Sequence, residues 1–166
     1  MKTILSGAVA AAALLSAPAM AHAADIYGSI GVGIVDVSPV KLGAVQVRGG
    51  IQLTPMIGIE AEASKGISGD KVLGVNVDLN NEYGAFLTAR WNFSDKGALI
   101  GRVGYASAEF EASLGPISVT DTQSGAAYGV GLEGHVAPAT SIRLDWTRYS
   151  FDQDADSYAV ALVHHF

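Results

Sequence analysis

From Ile26 onward, large apolar residues alternate with small or polar ones at a spacing of two, the period of a β-strand whose faces meet unlike surroundings. Strand one, Ile26 to Val37, sets Ile30, Val32 and Ile34 against Ser29, Gly31 and Gly33. Strand two, Ala44 to Leu53, sets Val45, Val47 and Ile51 against Gln46, Arg48 and Gly50; after the turn Thr54-Pro55-Met56, strand three starts at Ile57 and opposes Ile59, Ala61 and Ala63 to Glu60, Glu62 and Ser64. Strand four keeps one parity from Val75 to Phe93, longer than a membrane crossing needs, and is expected to project beyond it. Beyond the turn Ser94-Asp95-Lys96-Gly97, strand five opposes Leu99, Val103 and Tyr105 to Arg102 and Gly104. Strand six, Ala126 to Val136, presents Tyr128, Val130 and Leu132 opposite Gly129, Gly131 and Glu133; strand seven alternates Ile142, Leu144 and Trp146 with Arg143, Asp145 and Thr147; strand eight spans Ser157 to Phe166.

The polar face decides which way the apolar one points. A soluble sandwich would carry Lys and Glu on its outer face, but here the second face is mainly Gly, Ser and Ala with few charges, which is what a narrow lumen accommodates. The apolar face then meets lipid, and the chain is expected to be all-β, an eight-stranded antiparallel up-and-down transmembrane β-barrel. Aromatic residues at two levels support this: Trp91, Phe93 and Phe166 near the short turns, Tyr83, Tyr105, Phe151 and Tyr158 towards the longer loops, with Trp146 in the same interface set. The short turns are accordingly assigned to the periplasm.

Composition adds an address. Lys2, the apolar stretch Ile4 to Leu15 and the small-x-small site Ala21-His22-Ala23 read as a secretory signal, so residues 1–23 are expected to be cleaved and 24–166 to form one barrel domain. The protein has 20 glycines and no cysteine, which leaves closure of the sheet, rather than disulfides, to protect its edges.

The final residues Ser-Tyr-Ala-Val-Ala-Leu-Val-His-His-Phe place Tyr158, Val160, Leu162 and His164 on one face ahead of the terminal Phe166. This resembles the C-terminal signal read by the outer-membrane insertion machinery, with His164 standing where the family usually has tyrosine. Together with Gly-Val-Gly-Leu-Glu at 129–133 and Arg-Leu-Asp-Trp-Thr-Arg-Tyr at 143–149, the chain is similar to the OmpX/OmpA-type small outer-membrane barrels over residues 24–166. The resemblance implies a monomer in a Gram-negative outer membrane, in contact with lipid and lipopolysaccharide. It is specific for architecture and nearly silent on activity.

Counted from the periplasmic turns, Arg48, Glu60, Glu62, Arg90, Arg102, Glu133, Arg143 and Asp145 point inward at similar heights. Each acid has an arginine on its own or a neighbouring strand, so bidentate pairs that fill the lumen are expected, because an unpaired buried charge costs several kcal/mol. Filler is preferred to an ion gate, since eight strands leave room only for side chains. Catalysis is not expected: the His-x-Ser pair of lipid A deacylases is absent, because His135 precedes Val136 and His164 precedes His165. A Ser141–His165 pair is conceivable but would face no lipid. His164 and His165 occupy opposite faces and cannot share an ion, and no cofactor signature is present. His165 is expected to cap the lower lumen.

Without Lys2, nine Lys and Arg stand against 16 Asp and Glu. The loop side, assigned Asp36, Asp70, Asp78, Glu82, Glu109, Glu111, Asp121, Asp152, Asp154 and Asp156, repels nucleic acid and heparin. Loops two and three, about 66–81 and 109–124, contain strand-like apolar residues and are expected to rise as a sheet able to meet a protein partner. A lipid A-modifying enzyme and a narrow pore remain as alternative readings.

Overall fold

The computed structural model describes residues 25–72, 75–114 and 117–166; the expected signal peptide lies outside them. Nine strands follow one another: β1 (Ile26–Val37), β2 (Val40–Gln52), β3 (Ile57–Ser68), β4 (Asp70–Val72), β5 (Val75–Ser94), β6 (Gly97–Leu114), β7 (Ile117–Ala137), β8 (Thr140–Ser150) and β9 (Ala155–His165). Strands β3 and β4 both pair with β5 and form one stave, so the barrel has eight. Each stave is antiparallel to its sequence neighbours, and β1 pairs with β9 from Tyr27↔His165 to Asp36↔Asp156. That pairing removes the sheet's edges within the membrane, the condition for backbone polar groups to sit in hydrocarbon.

The alternation has the predicted sense except near the top of strand four, whose expected single parity breaks at a bulge between Leu79 and Asn81, so that Leu79 turns inward. Ile30, Val32, Ile34, Leu87, Val103, Leu132, Leu144 and Leu162 lie on the outer surface, whereas their neighbours in sequence turn into the lumen. The interface aromatics Tyr83, Trp91, Phe93 and Tyr105 are also exposed; Trp146 is half-buried, edge-on to Tyr128, and its Nε1 donates to Asp156 at 3.1 Å. From Tyr83 to Trp91, and likewise from Tyr158 to Phe166, the outer face advances by eight positions. At about 3.3 Å per residue and a tilt near 40°, that is roughly 20 Å, close to the height of the apolar band of such barrels.

Three expectations change. Strand two begins at Val40, not Ala44, because β1 and β2 meet across a two-residue turn with Val37 opposite Val40. Phe151 does not join the outer girdle; it stacks on the buried Tyr149 at 5.4 Å and packs against the interior. The upper lumen is apolar rather than polar: Val35, Val40, Leu42, Ala44, Leu79 and Phe86 form a buried cluster with the alanines of β6, β7 and β9. Above the girdle, β5, β6 and β7 continue as ladders to Asn76↔Ser113 and Leu114↔Ile117. Pairing of β7 with β8 starts only at Ala126↔Ser150, so among the described residues the stretch from Ile117 to Gly125 has a strand on one side alone.

Candidate functional site

Below the apolar cluster, the lumen is crossed by charge. The eight charged residues assigned inward are all buried, Arg143 at 1% exposure and Glu60 at 3%. Six of them form a closed ring of alternating sign. Arg48 contacts Glu62 at 2.5 Å, and Arg102 joins Glu62 at 2.9 Å to Glu60 at 3.4 Å. Arg143 then links Glu60 and Asp145, each at 2.8 Å, and Asp145 returns to Arg48 at 2.6 Å. Charge balance is thus reached within the ring: three guanidinium groups meet three carboxylates, and each carboxylate is shared by two arginines.

This differs from the expected bidentate pairs. Each guanidinium bridges two acids because the six side chains come from β2, β3, β6 and β8, staves spread around the wall. A bridging fork spans the bore; a bidentate one would leave part of it open. Nor is every partner a neighbour, since Glu60 on β3 reaches Arg143 on β8 and Glu133 on β7 reaches Arg90 on β5 at 2.9 Å, although Glu133 lies opposite Arg143 in register.

The other staves supply space. Gly131 on β7 leaves room for the Arg143 side chain, whereas a Cβ on Gly129, Gly31 or Gly33 would meet the backbone of the neighbouring stave. A Cβ on Gly131 would lie 2.6 Å from Asp145 Oδ1 and 3.2 Å from Arg143 Nε. Gly131 therefore belongs to the same construction as the charges, and the other three to the close approach of the staves.

Residues outside the expected set complete it. The Tyr27 hydroxyl donates to Glu60 at 2.8 Å and the Tyr149 hydroxyl to Glu62 at 3.0 Å. Gln46 accepts from Arg48, and the Phe86 ring lies 3.6 Å under the Arg102 guanidinium. The inward parity of Phe86 and Tyr149 was available in the sequence, but nothing there marked them as ligands of charge. Glu82, assigned above to the acidic loop surface, instead points into the lumen and is buried. Its strand parity matches Gly84 and Phe86, and that parity holds up to the bulge between Leu79 and Asn81.

At the short-turn end, His165 caps the lumen. Its Nε2 lies 3.1 Å from Glu133 and its Nδ1 3.2 Å from Asp25, while His164 is on the outer face beside Phe166. Ser141 does not meet His165; its Oγ lies 2.9 Å from Nδ1 of His135, the residue opposite it in the β7–β8 ladder. Tyr158, Val160, Leu162, His164 and Phe166 share the outer face of the C-terminal stave.

Solved structures with this architecture are outer-membrane barrels. Ail, the attachment invasion locus protein of Yersinia pestis, aligns with a TM-score of 0.63 at 13% identity, covering 86% of this chain and 97% of that one; one Ail structure holds the heparin analogue sucrose octasulfate. Neisserial surface protein A gives 0.63 at 10% identity over 86% and 96% of the two chains. The N-terminal β-barrel domain of Pseudomonas aeruginosa OprF gives 0.67 at 9% identity over 86% and 97%. At these identities the likeness is one of fold. No curated protein matches the sequence. The model of the outer membrane protein beta-barrel domain matches residues 7–166, and with a closed eight-stave barrel whose outer face is apolar, the chain belongs to that family and to the Gram-negative outer membrane.

Proposed function

We propose that this protein, after loss of residues 1–23, is a non-enzymatic and non-conducting barrel that contributes to envelope integrity and presents its extended hairpins for surface interaction. The observation that carries the reading is the double obstruction of the lumen: a closed ring of six charges beneath an apolar cluster. Opening a path through it would require breaking several buried ion pairs at once, each costing about 3–5 kcal/mol. That is far outside thermal fluctuation, so the lumen serves register and stability rather than transport. Planar-bilayer recording tests this: the wild-type protein gives no steady conductance, and a sustained open level would refute the plug.

The surface role rests on β5, β6 and β7, whose ladders outrun the membrane, and on the one-sided stretch from Ile117 to Gly125, which offers backbone groups to an added strand. The charge above the membrane selects against polyanions. Asp36, Glu109, Glu111, Asp121, Asp152 and Asp154 outweigh Lys41, Lys65 and Arg148, and Arg148 is itself paired with Asp154 at 2.9 Å and Asp156 at 3.3 Å. Ail was solved with a polysulfated heparin analogue; the acidic rim here favours a neutral or basic protein partner instead. Pull-down from intact cells, with residues 69–77 deleted as control, tests this, and equal recovery by the deletion would count against it. The alternative of a lipid A-modifying enzyme is tested by lipid A profiles of a deletion strain, which stay unchanged if the barrel is inert.

A further inference from the structure

The short-turn mouth of the barrel holds a constellation that the plug does not use. Glu133 and His135 on β7 and His165 on β9 bring one donor atom each to within 4.8 Å of one another. The two strands are not neighbours, since β8 lies between them, and the inward curvature of the wall across β8 brings these side chains together. The His135 and His165 rings are 5.5 Å apart.

What surrounds them orients them as ligands. Nδ1 of His135 meets the fully buried Ser141 hydroxyl at 2.9 Å, which leaves its Nε2 to act as the ligand atom. Nδ1 of His165 sits 3.2 Å from both carboxylate oxygens of Asp25, so that its Nε2 faces Glu133 at 3.1 Å. Glu133 is held in turn by Arg90 at 2.9 Å. Metal-binding histidines characteristically give their second ring nitrogen to a carboxylate, carbonyl or hydroxyl in this way, which fixes the tautomer and the plane of the ring. A cavity of about 400 Å³ opens on the group, lined by Asp25, Arg90, His135 and His165, and gives access from the periplasmic side.

We propose that Glu133, His135 and His165 form a binding site for a divalent transition-metal ion, with zinc as the best fit, at the periplasmic mouth. Two imidazole nitrogens and one carboxylate are a borderline-soft set suited to zinc, and the cavity leaves a fourth position to water. At zinc bond lengths near 2.0–2.2 Å, tetrahedral ligands lie about 3.4 Å apart, so donors within 4.8 Å of one another need close by at most about 1.4 Å, within reach of side-chain rotation. Binding exchanges the proton on His165 Nε2 for the metal, so that proton is released to solvent. The ion then ties β7 to β9 across the mouth, and His164, on the lipid side, takes no part.

The test uses tag-free protein purified from outer membranes, stripped with chelator and titrated with cobalt(II), then with zinc(II) in competition. Wild-type protein is expected to develop the visible ligand-field bands of four-coordinate cobalt, saturating at one equivalent and abolished by zinc. His135→Ala and His165→Ala each lose the bands, His164→Ala keeps them, and Ser141→Ala, which removes only the hydroxyl on Nδ1, weakens binding about 10- to 100-fold. Circular dichroism of each variant checks that the barrel is formed, and zinc should raise the unfolding midpoint of wild type but not of the His135→Ala/His165→Ala double variant. Coincident cobalt spectra for wild type and the folded double variant, or equal loss in His164→Ala, would overturn the site.

Discussion

Glu62→Gln removes one charge from the ring with almost no change of volume. In the native lumen this carboxylate receives Arg48, Arg102 and the Tyr149 hydroxyl, and it is buried. The amide cannot balance two guanidinium groups, so Arg48 and Arg102 are left with Asp145 and Glu60 alone in a site shut off from water. Breaking one side of a buried pair costs about 3–5 kcal/mol, most of it the exposure of the surviving charge to an uncompensated low-dielectric setting. With a urea m-value near 2 kcal/mol/M, the unfolding midpoint in lipid vesicles should fall by roughly 1.5–2.5 M, followed by tryptophan fluorescence. The closed ring makes a further demand. Removing an arginine as well, in Arg48→Gln/Glu62→Gln, restores neutrality, so the double variant should lose less than the sum of the singles by about 1–3 kcal/mol. A loss below about 1 kcal/mol for Glu62→Gln, the size of an exposed pair, would refute the claim that the ring is sealed from solvent. Strict additivity of the two substitutions would refute the claim that its members act together.

Gly131→Ala places a methyl group against Asp145 and Arg143 and should destabilise the barrel by about 1–3 kcal/mol in the same unfolding assay, whereas Gly101→Ala, whose added Cβ would meet nothing closer than 4.0 Å, should cost less. Leu132, 52% exposed and midway between Tyr128 and Val136 on β7, should tolerate no charge: Leu132→Arg costs about 2–4 kcal/mol in vesicles, and an unchanged stability would mean this face does not meet lipid. Phe166→Ala should lower the amount of assembled barrel in the outer membrane while leaving refolding in detergent intact, since the ring lies on the outer face and holds no lumen contact; equal loss in both would assign it to stability instead. Replacement of Phe86 by Leu removes the aromatic face beneath Arg102 but keeps the apolar bulk, and should cost about 0.5–2 kcal/mol, measured by the shift in urea midpoint.

Much of this molecule is written in its alternation. Because side chains on a strand point to opposite faces, Ile30, Leu132 and Leu162 could be placed outside and Arg48, Glu62 and Asp145 inside by counting alone, and closure followed from an apolar face with nowhere to go but lipid. The same counting failed where it was stopped too early. Glu82 keeps the inward parity of its strand beyond the expected membrane boundary; Val35 and Leu42 fall on the face that reads as polar lower down, and Leu79 leaves the outward parity expected of it only because of the bulge between Leu79 and Asn81. Partnership lay beyond parity altogether. Which arginine meets which acid depends on distances across the bore, and these are set by stave order, register and the space left at Gly131; so Arg143 passes over its ladder neighbour Glu133 to reach Glu60 on the far wall. For the same reason two histidines separated by 30 positions became neighbours at the mouth, while the adjacent His164 and His165 were divided by the wall itself. Periodicity is local and survives in one dimension; a ring of contacts exists only once the sheet has closed on itself.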